Sequence, residues 1–301
     1  MDRILKENPD FATVPFLGDK EPHISFEFFP PKNEESDKLL WQSVERLAPL
    51  KPRFMSVTYG AGGSTRERTR ATVTRIARET TIPAVAHLTC VNASRDEIDD
   101  IARDYWNAGI RHIVALRGDP PGGERFQAHP DGYANAIELV EGLKRIADFE
   151  ISVACYPETH PQALSPEADI DFLKRKFDAG ATRAISQFFL SPEAFLRFRD
   201  RVVAAGITAE ILPGIMPTSN ISGLKRMALS CGIAIPEKLD HLMASLDQDE
   251  PSVKQMVSMA VVSDLCSQLA KEGVESFHFY TMNRAKITSA LCRLLGRQPA
   301  L

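Results

Sequence analysis

The stretch HISFEFFPPK, residues 23–32, decides the fold. It is a short run of mostly apolar, β-favouring residues stopped by two prolines, so it reads as a strand ending at Phe29. A doubly wound open sheet would follow its first strand with a glycine fingerprint. Phe29-Pro30-Pro31-Lys32 cannot form that loop. Working outward, the same kind of run recurs at residues 53–59, 84–90, 112–119, 151–157, 183–189, 210–217 and 277–282. Stretches with helical periodicity lie between them. Residues 36–50 (SDKLLWQSVERLAPL) place Leu39, Leu40, Val44 and Leu47 on one face. Ser94 with Glu97 forms a capping box. Pro236 and Pro251 suit helix starts in the long link before the last strand. Eight alternating units predict an α/β chain closed into a (β/α)8 TIM barrel, a single domain with extra helices. Residues 1–20 read as an N-terminal lead-in or helix and residues 21–301 as the barrel.

Composition narrows the function. The 301 residues carry 36 basic and 40 acidic side chains, a net charge of −4, without the basic excess of a nucleic-acid binder. No apolar stretch approaches a membrane span or a signal-peptide core. Five dispersed cysteines with no CxxC argue for a reducing cytoplasm and against a disulfide framework. No HExxH or other metal-ligand spacing occurs, so no metal is expected.

Barrels carry their chemistry at the C-terminal strand ends. Those ends offer Glu27, Thr58, Tyr59, His87, Thr89, Arg117, Gly118, Asp119, Tyr156, Glu158, His160, Gln187, Asn283 and Arg284. Period two puts Ser25 and Glu27 on one face of the first strand, away from Ile24, Phe26 and Phe28. A carboxyl crowded by aromatics is expected to have a raised pKa, which suits a general acid; a structural carboxylate is the alternative. Arg117 and Asp119, on one face with Ile113 and Ala115, read as an ion pair or as ligand contacts. Gly118 between them permits close approach to the backbone. The adjacent cations Arg175 and Lys176 suit a diphosphate clamp or a solvated helix face. No lysine closes a strand, which counts against Schiff-base chemistry.

Taken together, SFEFFPPK (25–32), VTYGAGGSTRERT (57–69), HLTC (87–90), GIRHIVALRGDPP (109–121), YPETHP (156–161), LKRKFDAGA (173–181), ISQFF (185–189), PGIMP (213–217) and FHFYTMNRA (277–285) resemble, in order, the bacterial-type methylenetetrahydrofolate reductases. The resemblance implies a barrel that binds FAD without a Rossmann domain. It implies a ping-pong reaction in which NAD(P)H delivers hydride through FAD to 5,10-methylenetetrahydrofolate, giving 5-methyltetrahydrofolate. The same site is competent in reverse. NADH is favoured over NADPH, since no cluster suits a 2′-phosphate. By match, Glu27 is the general acid for ring opening, and Asp119 stabilises the iminium and tunes the flavin. Thr58, Tyr59, Ala61, His87, Arg117, Gly118, Asp119, Tyr156, His160, Asp169, Arg175 and Lys176 are cofactor contacts, Thr58 through the nicotinamide. Glu27, Asp119, Gln187 and Arg284 are substrate contacts. A cytoplasmic homo-oligomer, dimer or tetramer, without the eukaryotic regulatory domain is expected. Three positions depart from the pattern: Phe172 replaces a frequent Asn, and Gly223 and Met227 replace Gln and Phe.

Overall fold

The computed structural model describes residues 21–60, 65–120 and 126–299. The lead-in over residues 1–20 and the expected contact Ala61 lie outside the described residues. Eight strands appear where the sequence places them: β1 (His23–Phe28), β2 (Met55–Val57), β3 (Ala84–Thr89), β4 (His112–Leu116), β5 (Glu150–Cys155), β6 (Arg183–Phe188), β7 (Glu210–Ile215) and β8 (Ser276–Tyr280). Each pairs in parallel with the next, and β8 pairs with β1 to close the barrel. Around it, among the described residues, stand α1 (Glu34–Leu47), α2 (Arg66–Glu79), α3 (Arg95–Asn107), α4 (Ala136–Ile146), α5 (Pro166–Asp178), α6 (Pro192–Ala204), α7 (Ile221–Ser230), α8 (Glu237–Ser245), α9 (Pro251–Lys271) and α10 (Ala285–Leu294).

Local sequence fixes many helix ends. Ser94 accepts from the Glu97 N–H, and Glu97 returns the bond to the Ser94 N–H, the predicted capping box. Pro251 is the first residue of α9, where its missing N–H costs nothing; Pro236 instead caps α8. In α1 the buried stripe is Leu40, Ser43, Val44 and Leu47, while Leu39 is exposed.

Several strands end short of the sequence reading: β2 stops at Val57, β4 at Leu116, β5 at Cys155, β7 at Ile215 and β8 at Tyr280. Gly118 has φ +79, a left-handed conformation that ends the pleat. Thr58, Tyr59, Arg117 and Asp119 therefore sit on rim loops, and period two does not place Arg117 and Asp119 with Ile113 and Ala115. The latter two pack outward into the main core.

The barrel has a structural floor and a polar mouth. At the N-terminal strand ends Arg183 pairs with Glu150 at 2.7 Å and with Glu210 at 2.9 Å, and Arg53 also reaches Glu210. Above it the guanidinium of Arg183 lies over the Phe54 ring, which stacks on His278 at 5.6 Å and meets His112 edge-on at 5.1 Å. Burial, then the Arg183 charge, pushes the His112 imidazole down to about 3 from its ordinary 6.5. The folded chain thus refuses a proton that the unfolded chain accepts, so stability falls as pH drops from 6.5 toward 3. Phe26, Phe28, Phe277 and Phe279 face outward into the barrel–helix core, leaving Ser25, Glu27 and His278 inside.

Candidate active site

Glu27 stands on the barrel axis near the end of β1, with its side chain 12% exposed. The β1–β8 register sets Ser25 opposite His278 and Glu27 opposite Tyr280. Ser25 Oγ lies 2.8 Å from His278 Nδ1, and His278 Nε2 lies 3.4 Å from Glu27 Oε2. A neutral imidazole has one donor and one acceptor. With a carboxylate at Nε2, the Ser25 hydroxyl donates to Nδ1 and Nε2–H donates to Glu27. From β3, His87 Nε2 approaches the same carboxylate oxygen at 3.3 Å. Thr281 anchors the backbone of Glu27, its hydroxyl donating to the Glu27 carbonyl at 2.6 Å.

This overturns the expected raised pKa. Burial does push the Glu27 carboxyl up, but the facing imidazoles, His87 first and then His278, outweigh it. The carboxyl is held well below its ordinary range. The aromatic residues credited with crowding it point away, into the outer core, and imidazoles take their place. His278 is fully buried, and desolvation depresses its own pKa, so it favours the neutral form.

A cavity of about 790 Å³ opens at the ends of β4 and β5. Small-molecule sites typically enclose roughly 300–1,000 Å³. Arg117, Gly118, Asp119, Tyr156, His160, Asp169 and Lys176 all line it. Tyr156 and His160 meet edge-on at 4.5 Å. Asp169, in the first turn of α5, accepts from the His160 N–H at 2.9 Å and so orders the loop after β5. Arg117 donates to Gln162 at 2.7 Å and pairs with Asp119 at 3.2 Å. The Asp119 side chain is 82% exposed, so that pair contributes little and leaves the carboxylate available.

The two adjacent cations part company. Lys176 turns inward: it is buried, and its ammonium donates to the Ala154 carbonyl at 2.7 Å and lies 5.0 Å from the centre of the Phe172 ring. Desolvation pushes its pKa down to about 8. Arg175, one position round the helix, is exposed and does not line the cavity. A buried ammonium short of charge compensation, beside Arg117, suits a dinucleotide's diphosphate. Gly118, which also lines the cavity, is required by packing: a Cβ there would come within 2.7 Å of Val91 and 2.8 Å of Thr89. The residues present thus fit FAD.

The remaining predicted contacts lie around the mouth. Gln187 donates through Nε2 to Cys231 Sγ at 3.6 Å and accepts at Oε1 from the Phe188 N–H at 3.0 Å. Thr58 and Tyr59 follow β2, and Tyr59 packs on the core. Arg284 lines a separate depression of about 610 Å³ beside Met282 and Pro217. It follows Met282 and Asn283, both left-handed with φ of +52 and +55. Asn283 steadies that turn, accepting from the Phe29 N–H and donating to the Phe29 carbonyl, each at 2.9 Å. At Gly223 an added Cβ would meet the Asn220 amide at 2.5 Å, because Asn220 caps α7 by accepting from the Gly223 N–H. Met227 packs into the cluster beneath α7.

His278 and Cys231 were not among the site residues expected from the sequence. His278 stood in a quoted segment, but only barrel closure shows that it faces Glu27.

Comparison with known proteins places these features in context. The family model for methylenetetrahydrofolate reductase matches residues 15–296. The 5,10-methylenetetrahydrofolate reductases of Salmonella typhimurium and Escherichia coli are each 50% identical over 280 residues, covering 93% of this chain and 92% of theirs. A Zea mays protein named methylenetetrahydrofolate reductase (NADH) 1 is 35% identical over 291 residues, covering 93% of this chain and 49% of its own. Among solved structures, a Clostridium thermocellum protein described as binding two copies of 5-methyl-5,6,7,8-tetrahydrofolic acid aligns with TM-score 0.61, 15% identity and 97% coverage of both chains.

Proposed function

The chain belongs to the methylenetetrahydrofolate reductase family, oxidoreductases of tetrahydrofolate metabolism, and from that premise we propose that it reduces 5,10-methylenetetrahydrofolate to 5-methyltetrahydrofolate with NADH by way of FAD. The observation that carries the chemistry is the Ser25–His278–Glu27 chain on the barrel axis, together with the cavity lined by Arg117 and Lys176 at the ends of β4 and β5. FAD, when bound, supplies a hydride carrier between nicotinamide and folate. Lys176 and Arg117 would hold its diphosphate, Arg175 would add charge from outside the cavity, and Tyr156, His160 and Asp169 line or order the wall. Tyr59, Ala61, His87 and Gly118 complete the contacts carried over from the family.

Glu27 protonates the folate amine as the five-membered ring opens. Glu27 rests as a carboxylate that accepts from the neutral His278, itself fixed by Ser25, and it takes up the proton it delivers from solvent as the folate enters. Entry of a bulky ring into the mouth excludes water and strips the carboxylate of solvation, which favours the protonated acid. Asp119, exposed beside Arg117, places negative charge where the cationic iminium develops. Gln187 offers both an amide donor and an acceptor, and serves nicotinamide and folate in turn. Thr58 contacts the nicotinamide and Arg284 the folate. NADH as the donor is supported by the name of the Zea mays relative. The five cysteines are all free thiols, which suits a reducing compartment.

Incubation of the purified chain with FAD, NADH and 5,10-methylenetetrahydrofolate is expected to give 5-methyltetrahydrofolate, with a higher kcat/KM for NADH than for NADPH. Absence of the methyl product with either nucleotide contradicts the reading.

A further inference from the structure

Gln187 reaches the mouth through an irregularity in the sheet. Ile185 is in register with Leu212 and Phe188 with Gly214, so β6 takes one more step than β7 over that interval. The extra residue makes a β-bulge at Ser186–Gln187, and a bulge disrupts the ladder around it. Side chains bond the groups at that break. The Tyr280 hydroxyl, on β8 beyond β7, donates to the Ser186 carbonyl at 2.6 Å. The Ser186 hydroxyl donates to the Gln187 carbonyl at 2.9 Å and accepts from the Gly214 N–H at 2.9 Å.

Tyr280 spans β7 because position 214 has no side chain. A Cβ there would lie 2.1 Å from the Ser186 carbonyl oxygen and 2.8 Å from the Tyr280 hydroxyl. The tyrosine ring is fixed in turn by an edge-on contact with His278, centroids 5.4 Å apart. Burial pushes the phenol pKa well up, so the hydroxyl stays a donor. Without that hydroxyl, a buried carbonyl would lose its partner and the Ser186–Gln187 peptide would be free to turn.

We propose that Tyr280 is a positioning residue: by holding the Ser186 carbonyl across Gly214, it fixes the bulged peptide and so aims the Gln187 amide at the bound ligand. The proposal rests on the reading of Gln187 as a ligand contact. It gives the glycine of PGIMP and the tyrosine of FHFYTMNRA a shared purpose.

The test is a double-mutant cycle on the FAD-saturated chain, with kcat/KM for 5,10-methylenetetrahydrofolate and the melting temperature measured for each member. Tyr280→Phe keeps the ring and removes the hydroxyl. Misplacing a contact group by about an ångström costs up to roughly 10²-fold, so a loss of about tenfold is expected. Gln187→Ala is expected to lose at least as much, and the double variant no more than Gln187→Ala alone. Tyr280→Phe that costs the same factor in both backgrounds, or that retains full kcat/KM, overturns the proposal; so does an effect seen only in melting temperature. A Gln187→Ala chain with full folate activity removes the reading of Gln187 and this inference together, which distinguishes the two failures. Should Tyr280→Phe fail to fold, Ser186→Ala enters the same cycle with the same expected non-additivity.

Discussion

Glu27→Gln is expected to lower turnover of 5,10-methylenetetrahydrofolate by roughly 10²–10⁴-fold, the range for loss of a positioned general acid. The amide has the shape of the carboxyl and still accepts from His278, so the barrel axis stays filled. What it lacks is a transferable proton. The expected defect is therefore confined to the folate step, and reduction of a dye acceptor by NADH is expected to persist. Stability is expected to respond to acid in a particular way. Partners hold the Glu27 carboxyl below its ordinary range, so its stabilisation is present above the unfolded value and is lost as pH falls through the folded one. Removing the carboxylate removes that part of the acid sensitivity and leaves the part due to His112. Steady-state folate kinetics and dye reduction on the same preparation check the result. Equal loss of both would mean that Glu27 shapes the mouth rather than donating the proton.

Lys176→Met is expected to weaken FAD binding by about tenfold to a hundredfold, since a hydrogen bond to a charged partner contributes about 1.5–3 kcal/mol. Methionine keeps the length of the stem and most of the packing around Phe172, so the loss reports the ammonium. The pH dependence adds a sharper sign. Burial holds Lys176 down to about 8, so above that pH the free chain carries a neutral amine. A diphosphate favours the ammonium and must then be accompanied by proton uptake. FAD affinity of the wild-type chain is accordingly expected to fall as pH rises above that value, and Lys176→Met is expected to lose that slope. Fluorescence titration of FAD at neutral pH and one unit above the lysine value checks both points. Wild-type affinity in the variant would place the diphosphate elsewhere.

The fold was legible because each strand carries its own local signal. The prolines after β1, the Ser94–Glu97 box and the proline opening α9 act within a few residues, and the structure has each of them. The site was legible as a set of rim positions, since the ends of parallel strands meet at one face of a closed barrel. Its electrostatics were not. One of the two imidazoles that act on Glu27, His278, is 251 residues away, and only the β1–β8 pairing brings it there. Local sequence showed phenylalanines beside Glu27 and suggested a raised pKa; alternation sends them outward. The direction of Lys176 was hidden for the opposite reason. It neighbours Arg175 in sequence, but a helix turns its successive residues apart, and only one of the two meets the cavity. The bulge at Ser186–Gln187 has no sequence signal of its own. Gly214 is its trace, and the need for a glycine there appears only when Tyr280 is seen to cross the strand.

Under the proposed function, electrons pass from NADH to a folate through a flavin held by Lys176 and Arg117. The most direct measurement is the visible absorbance spectrum of the FAD-loaded chain without oxygen, taken before NADH, after NADH, and after 5,10-methylenetetrahydrofolate. A flavin band that bleaches with NADH and returns with the folate is expected. A chain that takes up no flavin, or whose bleached band the folate fails to restore, would contradict the proposed function.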